Sequence, residues 1–291
     1  MESALPLLRG QEQLVAQRGP QAQMNNQLFT EYRQFRKSVT RLLHALLAEE
    51  KSSARVQLSS SLELELRFGR KETTRRSPCT DAEQRLIVSV DRGRFNTDVD
   101  ARLFLALFQR LSESDDWSVQ RTLDDRVQRL SAVTGSDRVL HQPATDSKSR
   151  CRREHKQLLT AHQDFESSDE RRLDVRLSLC SEQVMDSDVC NGAVCHFDGK
   201  TVRRERCTAV AKAGFDLWRV DFTKLDDGQR HQIELELQLD HAHRVLQPAY
   251  AKLQQPAPVT YDQYLVHNSV ERLVELVDEL QRLACQVDGQ C

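Results

Sequence analysis

Two short segments, far apart in the chain, place carboxylates at alternate positions: Leu62-Glu63-Leu64-Glu65-Leu66-Arg67-Phe68-Gly69 and Ile233-Glu234-Leu235-Glu236-Leu237. In a β-strand successive side chains leave on opposite faces. Glu63, Glu65 and Arg67 therefore share one face, and the leucines and Phe68 share the other. Carboxylates two residues apart on one face stand about 7 Å apart at the backbone, close enough to converge on one cation. Oxygen ligands of this kind suit Mg²⁺ or Mn²⁺. One such strand is the ordinary pattern of an antiparallel sheet with a wet face, but this chain repeats the device. Arg219, Asp221 and Thr223 share a parity, as do Asp174, Arg176 and Ser178 with Glu182 continuing them. Arg204 and Arg206 share another, and Arg129 sits in a strand-like run from Val127 to Val133. These faces are rich in Arg and Glu and poor in neutral filler. A closed barrel that turned them inward would hold a tunnel of acids and bases. Paired carboxylates there repel by on the order of 4 kcal/mol at 4 Å, so cations must neutralise them.

The elements that must carry these residues follow from periodicity. Residues 1–22, rich in Gln, Gly and Arg, lack apolar periodicity and read as a flexible tail. Phe29, Tyr32, Phe35, Val39, Leu42, Leu43 and Leu46 recur at helical spacing, giving a helix over about 25–50 with Asn25 or Asn26 as cap. From residue 58 the period becomes two, with strands expected over 58–69, 85–91, 117–133, 151–161, 171–182, 201–211, 216–224 and 231–239. Val99, Leu103, Leu107, Phe108 and Leu111 interrupt them as a helix capped by Thr97 or Asp98. Gly135-Ser136-Asp137 and Asp226-Asp227-Gly228 read as hairpin turns, and Asn191-Gly192 and Asp198-Gly199 as loop. A last helix is expected over about 260–287, its stripe from Tyr261 to Leu283 facing the core.

Bulk properties narrow the function classes. At 291 residues, 38% apolar and 30% charged, the chain fits one large β-rich domain. A net charge of -2 argues against bulk nucleic-acid binding, so any RNA contact must be local, through an end or a phosphate. Eight cysteines form no CxxC pair, which makes structural zinc improbable and reads as reduced thiols of an intracellular protein. His231, His241 and His243 gather near the second acidic strand, but metal ligation is the lesser reading of them. No secretory signal and no membrane-length apolar run is seen. A phosphate-cradling Gly-x4-Gly-Lys-Ser/Thr loop and a His-Cys-x5-Arg phosphatase loop are both missing.

With these motifs in order, the chain resembles the triphosphate tunnel metalloenzyme superfamily. It looks most like the metal-dependent RNA 5′-triphosphatase of the mRNA-capping apparatus of fungi, protozoa and large DNA viruses. The opening motif is Leu62 to Gly69 and the closing one His231 to Glu236. Between them lie the basic pair Arg204-Glu205-Arg206, the Arg219-x-Asp221-x-Thr223 strand and the Asp174 to Glu182 run. The resemblance implies an α+β, mainly β fold over residues 23–291. In it a closed antiparallel eight-stranded tunnel has a polar, charged lumen, with helices packed outside. It implies that Glu63, Glu65 and Glu236 hold Mn²⁺ or Mg²⁺. Phosphate binding would fall to Arg67, Arg129, Arg176, Arg204, Arg206 and Arg219, with one of Lys148, Arg150, Arg152 or Arg153. Arg129 and Arg219 would also stabilise the transferring group, Glu182 and Glu234 would orient the attacking water or the metal's water shell, and Asp221 and Thr223 would brace the arginines.

The implied reaction removes the γ-phosphate from triphosphate-ended nascent mRNA, with an NTPase side activity. The partner is the RNA 5′ end, and the absence of a Lys-x-Asp-Gly motif assigns the next capping step to a separate guanylyltransferase. A nuclear location follows only from that role. The alternatives are the same fold acting on small triphosphates, such as tripolyphosphate, thiamine triphosphate or nucleotides, and a non-catalytic polyphosphate-binding barrel. Gln232 stands where the family usually carries a further Glu, which removes a charge at the rim. Arg67 and Arg204 stand where Lys is common, adding a bidentate fork for phosphate oxygens.

Overall fold

The computed structural model describes residues 30–53, 60–72, 85–89, 93–131, 136–142, 150–169, 172–185, 201–211, 217–253 and 259–287. Readings that fall elsewhere lie outside the described residues. These are the tail over 1–22, the caps Asn25 and Asn26, Gly135, Lys148 and the loop glycines 192 and 199. The described elements are α1 (Arg33–Ser53), β1 (Ser60–Glu72), β2 (Leu86–Val88), β3 (Arg94–Asn96), α2 (Ala101–Glu113), β4 (Trp117–Ser131), β5 (Ser136–Gln142) and β6 (Arg150–Leu158). They continue with β7 (Gln163–Ser167), β8 (Asp174–Met185), β9 (Thr201–Ala211), β10 (Trp218–Leu225), β11 (Arg230–Leu237), α3 (Leu239–Ala251) and α4 (Tyr261–Val287).

The fold is α+β, with four helices among the described residues and one mainly antiparallel sheet of eleven strands. The sheet thus holds three strands more than the eight expected. Periodicity missed β3, β5 and β7, which are three, seven and five residues long and too short for alternation to stand out. Hydrogen-bonded neighbours run β8, β6, β5, β4, β9, β10, β11, β1. β1 pairs on its other side with β8, from Ser60 against Gln183 to Gly69 against Asp174. β2, β7 and β3 extend from this set.

Alternation decides what each face does. Leu64, Leu66, Leu177, Leu179, Val220, Phe222, Ile233 and Leu235 are buried on the apolar face. The stripes of α1 (Phe35, Val39, Leu42, Leu46), α2 (Leu103, Phe104, Leu107) and α4 (Leu265, Leu273, Leu276, Val277) join them in one core. Phe35 meets Phe165 edge-on at 5.1 Å, and Phe104 meets Phe222 at 5.5 Å. Trp218 is fully buried against α4, where its Nε1 donates to the Ser269 carbonyl at 3.0 Å. The stripe of α4 is core, as expected.

Two local expectations change. Helix α2 is capped by Asp100, whose side chain accepts from the backbone N–H groups of Arg102 and Leu103 at 2.9 and 3.3 Å. Thr97 and Asp98 are engaged with β11 instead: Thr97 accepts from the Gln232 amide at 2.7 Å and Asp98 from the His231 N–H at 2.8 Å. Helix α3 has no counterpart in the sequence reading, since it carries Pro248 and buries only Ala242 and Leu246. The Asp226 to Gly228 turn forms as read, with Gly228 at φ 86°, where glycine is favoured. No helix among the described residues is long and apolar enough to cross a membrane.

Candidate functional site

Register gathers the charged positions on the face opposite the core. Glu65 pairs with Glu236 and Arg67 with Glu234 across β1 and β11. Across β10 and β11, Arg219 pairs with Glu236, Asp221 with Glu234 and Thr223 with Gln232. Across β9 and β10, Arg206 pairs with Thr223 and Thr208 with Asp221. On the other side of β1, Glu63 pairs with Cys180 and Ser61 with Glu182, and Glu182 pairs in turn with Lys156 of β6. Cross-strand partners share a face, so one surface holds nearly every candidate that sequence spacing supplied. Glu65, Glu154, Glu182, Arg204 and Asp221 are buried there, although charged groups seldom are unless paired.

The pairing is dense. Lys156 Nζ bridges Glu63 and Glu65, 2.8 and 2.9 Å from an oxygen of each. Arg67 places Nε 2.8 Å from Glu234 and Nη2 3.3 Å from Glu65. Arg219 donates to Glu236 at 2.6 Å and lies 3.2 Å from Asp221. Asp221, fully buried, also lies 3.5 Å from Arg206 and accepts from Thr208 at 2.6 Å. It thus stands between two arginines. The hydroxyl of Thr223, buried on the same face, has no hydrogen-bond partner among the described residues.

Burial and neighbours set the charge state. Burial raises the Glu63 carboxyl above its usual range, a hydrogen bond with Glu182 adds to this, and Lys156 opposes it. Burial pushes Glu236 up to about 7 against the pull of Arg219, with Glu63 and Asp221 adding to the rise. Glu234 goes the other way. Burial resists its ionisation, but Arg67, Arg206, Lys156 and Arg204 outweigh it and hold the carboxyl at about 2. Burial likewise works against the Lys156 ammonium, and Glu65 and Glu63 overcome it, raising its pKa. Burial pushes the Cys180 thiol up to about 11, with Glu65 adding to it.

Other candidates stand apart or lie outside the described side chains. Arg176 is cross-strand to Arg67, yet its guanidinium forks onto Asp164 at 2.7 and 2.9 Å and lies 4.7 Å over the Phe95 ring. Position 129 pairs at the backbone with position 138, and 138 with Glu154, so register brings it to the charged face. Its side chain, like those of Arg150, Arg152 and Arg153, lies outside the described ones. Gln232 donates to Thr97 and so ties β11 to the segment leading into α2. His231 packs on Phe104, and His243 bonds Tyr261 and Glu50. Sequence reasoning missed Lys156 and Glu154. The signal was the shared parity of Arg152, Glu154 and Lys156 in β6, hidden in a run where Arg150 and Arg153 are basic too.

The donor set fits a hard divalent cation, because Glu63 and Glu65 already converge on one positive centre, the Lys156 ammonium. Among the described residues no three such groups stand ready in a metal-binding arrangement. Lys156 and Arg219 engage the carboxylate oxygens instead.

No protein-family model matches the chain, and no curated protein matches it in sequence. Among solved structures the fold is similar to that of the S. pombe Pct1 RNA triphosphatase in complex with the Spt5 CTD. The TM-score is 0.57 at 18% identity, covering 85% of this chain and 93% of that one. It is similar also to the S. pombe Pct1 RNA triphosphatase described without that partner. There the TM-score is 0.55 at 18% identity, covering 85% of this chain and 92% of that one. At that identity the likeness is one of fold, and on fold it agrees with the resemblance carried by the motifs.

Proposed function

We propose that the protein is a divalent-metal-dependent RNA 5′-triphosphatase that removes the γ-phosphate from triphosphate-ended nascent mRNA, the first step of capping. The observation that carries this is the meeting of Glu63, Glu65 and Glu236 with Arg67, Arg204, Arg206 and Arg219 on one face, in a fold similar to an RNA triphosphatase. On this reading the eight strands from β8 round to β1, with the β1–β8 pairing, form a closed tunnel that receives the RNA end.

Glu63, Glu65 and Glu236 would hold Mn²⁺ or Mg²⁺, which when bound neutralises γ-phosphate charge and favours in-line attack by water. The chain's own residues do the rest. Arg206 and Arg219, fixed by Asp221, present forked donors to the phosphoryl oxygens and the leaving β-phosphate. Arg67 and Arg204 add charge along the same wall, with Arg129 and Arg176 as further phosphate contacts. Glu234, held ionised, and Glu182, bonded to Glu63, offer oxygens that orient the attacking water. The products are a diphosphate-ended RNA and inorganic phosphate, and no covalent enzyme intermediate is needed. The capping role implies a nuclear site of action and a separate guanylyltransferase partner.

The test is phosphate release from triphosphate-ended RNA with Mn²⁺, Mg²⁺ or EDTA, wild type beside Glu65→Ala. Release should require metal and fall more than about a hundredfold in the variant. Undiminished release in EDTA would refute the metal-dependent reading. Tripolyphosphate processed as well as RNA would leave the hydrolase standing and move its substrate to small triphosphates.

A further inference from the structure

Lys156 sits where no motif asked for a cation. Its Nζ lies 2.8 Å from Glu63 and 2.9 Å from Glu65, two carboxylates on one face of one strand. Its cross-strand partner is a third carboxylate, Glu182, itself bonded to Glu63. The side chains of Lys156, Glu63 and Glu65 are 15%, 16% and 7% exposed, so water screens the group little. Without the ammonium, two carboxylates would face each other in a poorly hydrated space with no compensating charge.

We propose that Lys156 is a built-in counter-cation for the Glu63–Glu65 pair, which a divalent ion must displace to reach those carboxylates. This rests on the metal-binding reading above. The ammonium and the ion compete for the same oxygens, so the lysine stabilises the metal-free protein and sets the ion concentration at which the site fills. The group carries one net negative charge without metal, two carboxylates against one ammonium, and a divalent ion that releases the ammonium shifts it to one net positive charge. The released ammonium stays on the face that carries the arginines, one more positive charge for an anionic substrate.

Competition separates this role from a merely structural one by sign. Loss of a structural contact lowers stability and weakens binding together. Loss of a competing counter-cation lowers the stability of the metal-free protein but tightens metal binding, because the starting state has lost its compensation. The experiment is calorimetric titration of the metal-free, full-length protein with MnCl₂, beside its thermal melt, for wild type, Lys156→Met and Lys156→Arg. Lys156→Met should melt lower without metal and bind Mn²⁺ about tenfold or more tighter, and Lys156→Arg should restore both values toward wild type. If the methionine variant does not fold, Lys156→Gln, neutral but able to hydrogen-bond, carries the same comparison. Equal or weaker Mn²⁺ binding by the neutral variant, with binding by wild type intact, would overturn the competition and leave the metal site standing. No Mn²⁺ binding by any of the proteins would overturn the metal reading itself, and this proposal with it.

Discussion

Arg67 and Glu234 are locked together across β1 and β11, Nε 2.8 Å from a carboxylate oxygen, at a register position where the two strands pair directly. The link joins the opening and closing acidic strands, which lie far apart in the sequence. It also explains why neighbouring glutamates on β11 behave differently. Glu234 is surrounded mainly by arginines and stays ionised, whereas Glu236 has Glu63 and Asp221 beside it as well as Arg219. Two carboxyls two residues apart thus differ in what they can do: one is a permanent anion, the other exchanges a proton near neutrality.

That difference gives a pH signature for Glu234. Its carboxyl sits at about 2 in the folded protein against an ordinary 4.5. A depressed carboxyl contributes stability above its unfolded value and loses that contribution as pH falls through its folded value. Glu234→Gln should therefore lower stability at pH 7 by roughly 3 kcal/mol, since Arg67 loses its charged partner. The deficit should shrink below pH 4.5 and close near pH 2. Urea unfolding at stepped pH measures it, and a deficit constant down to pH 2 would contradict the pairing.

Gly69 ends the opening motif for a steric reason. A Cβ there would collide with the backbone carbonyl of Asn96 and with the Phe95 ring, because β3 lies directly against β1. Gly69→Ala must push β3 away, and backbone cannot yield as a flexible side chain does. The expected loss is about 2–3 kcal/mol, the scale of overpacking in a tight contact. Chemical denaturation checks it. A neutral substitution would mean that β3 is not held where it is seen.

Legibility in the sequence followed the strength of local signals. Strict alternation in Leu62–Phe68 and Ile233–Leu237 fixed both strands and the face of every carboxylate on them, because a one-residue slip would expose the leucines. The arginines of β9 and β10 were found the same way. Lys156 was hidden because parity alone cannot say which cation of a basic run reaches across to β1. Thr97 and Asp98 were misread as caps because either could serve α2 locally, and only the tertiary link to β11 claims them. Helix α3 escaped because a helix with an internal proline and few buried residues leaves little periodicity to read.

The apolar side of the sheet depends on a charged clamp between the first and last helices. Asp278 of α4, itself buried, accepts from Tyr32 at 3.2 Å, from Arg85 at 2.5 Å and from Arg282 at 2.9 Å. Burial raises the Tyr32 phenol far above its ordinary value, and Asp278 adds to the shift, so the hydroxyl remains a donor across the working pH range. Asp278→Ala leaves a buried phenol and a half-buried guanidinium without their acceptor. The expected cost is roughly 3 kcal/mol, larger than the loss of one neutral hydrogen bond. Tyr32→Phe, which removes a donor and leaves Asp278 its arginines, should cost only about 1 kcal/mol. Thermal melts of the two variants rank them, and a reversed order would remove Asp278 from the centre of the clamp.

On the proposed metal-binding reading, Glu236 would link metal uptake to protons. With its carboxyl at about 7, a substantial fraction is protonated at neutral pH, and burial is the main reason. A raised carboxyl contributes stability that is complete below its unfolded value and disappears as pH rises through its folded one, so the metal-free protein loses stability between about pH 4.5 and 7. A cation that takes this carboxylate must expel the remaining proton. Mn²⁺ affinity should accordingly rise up to about tenfold per pH unit below 7 and flatten above it. Calorimetric titration in two buffers of different ionisation enthalpy reads the released proton directly. At pH 6.5 the apparent enthalpy should differ between buffers for wild type, and the difference should shrink in Glu236→Gln. Binding that releases no proton at pH 6.5 would take Glu236 out of the ligand set.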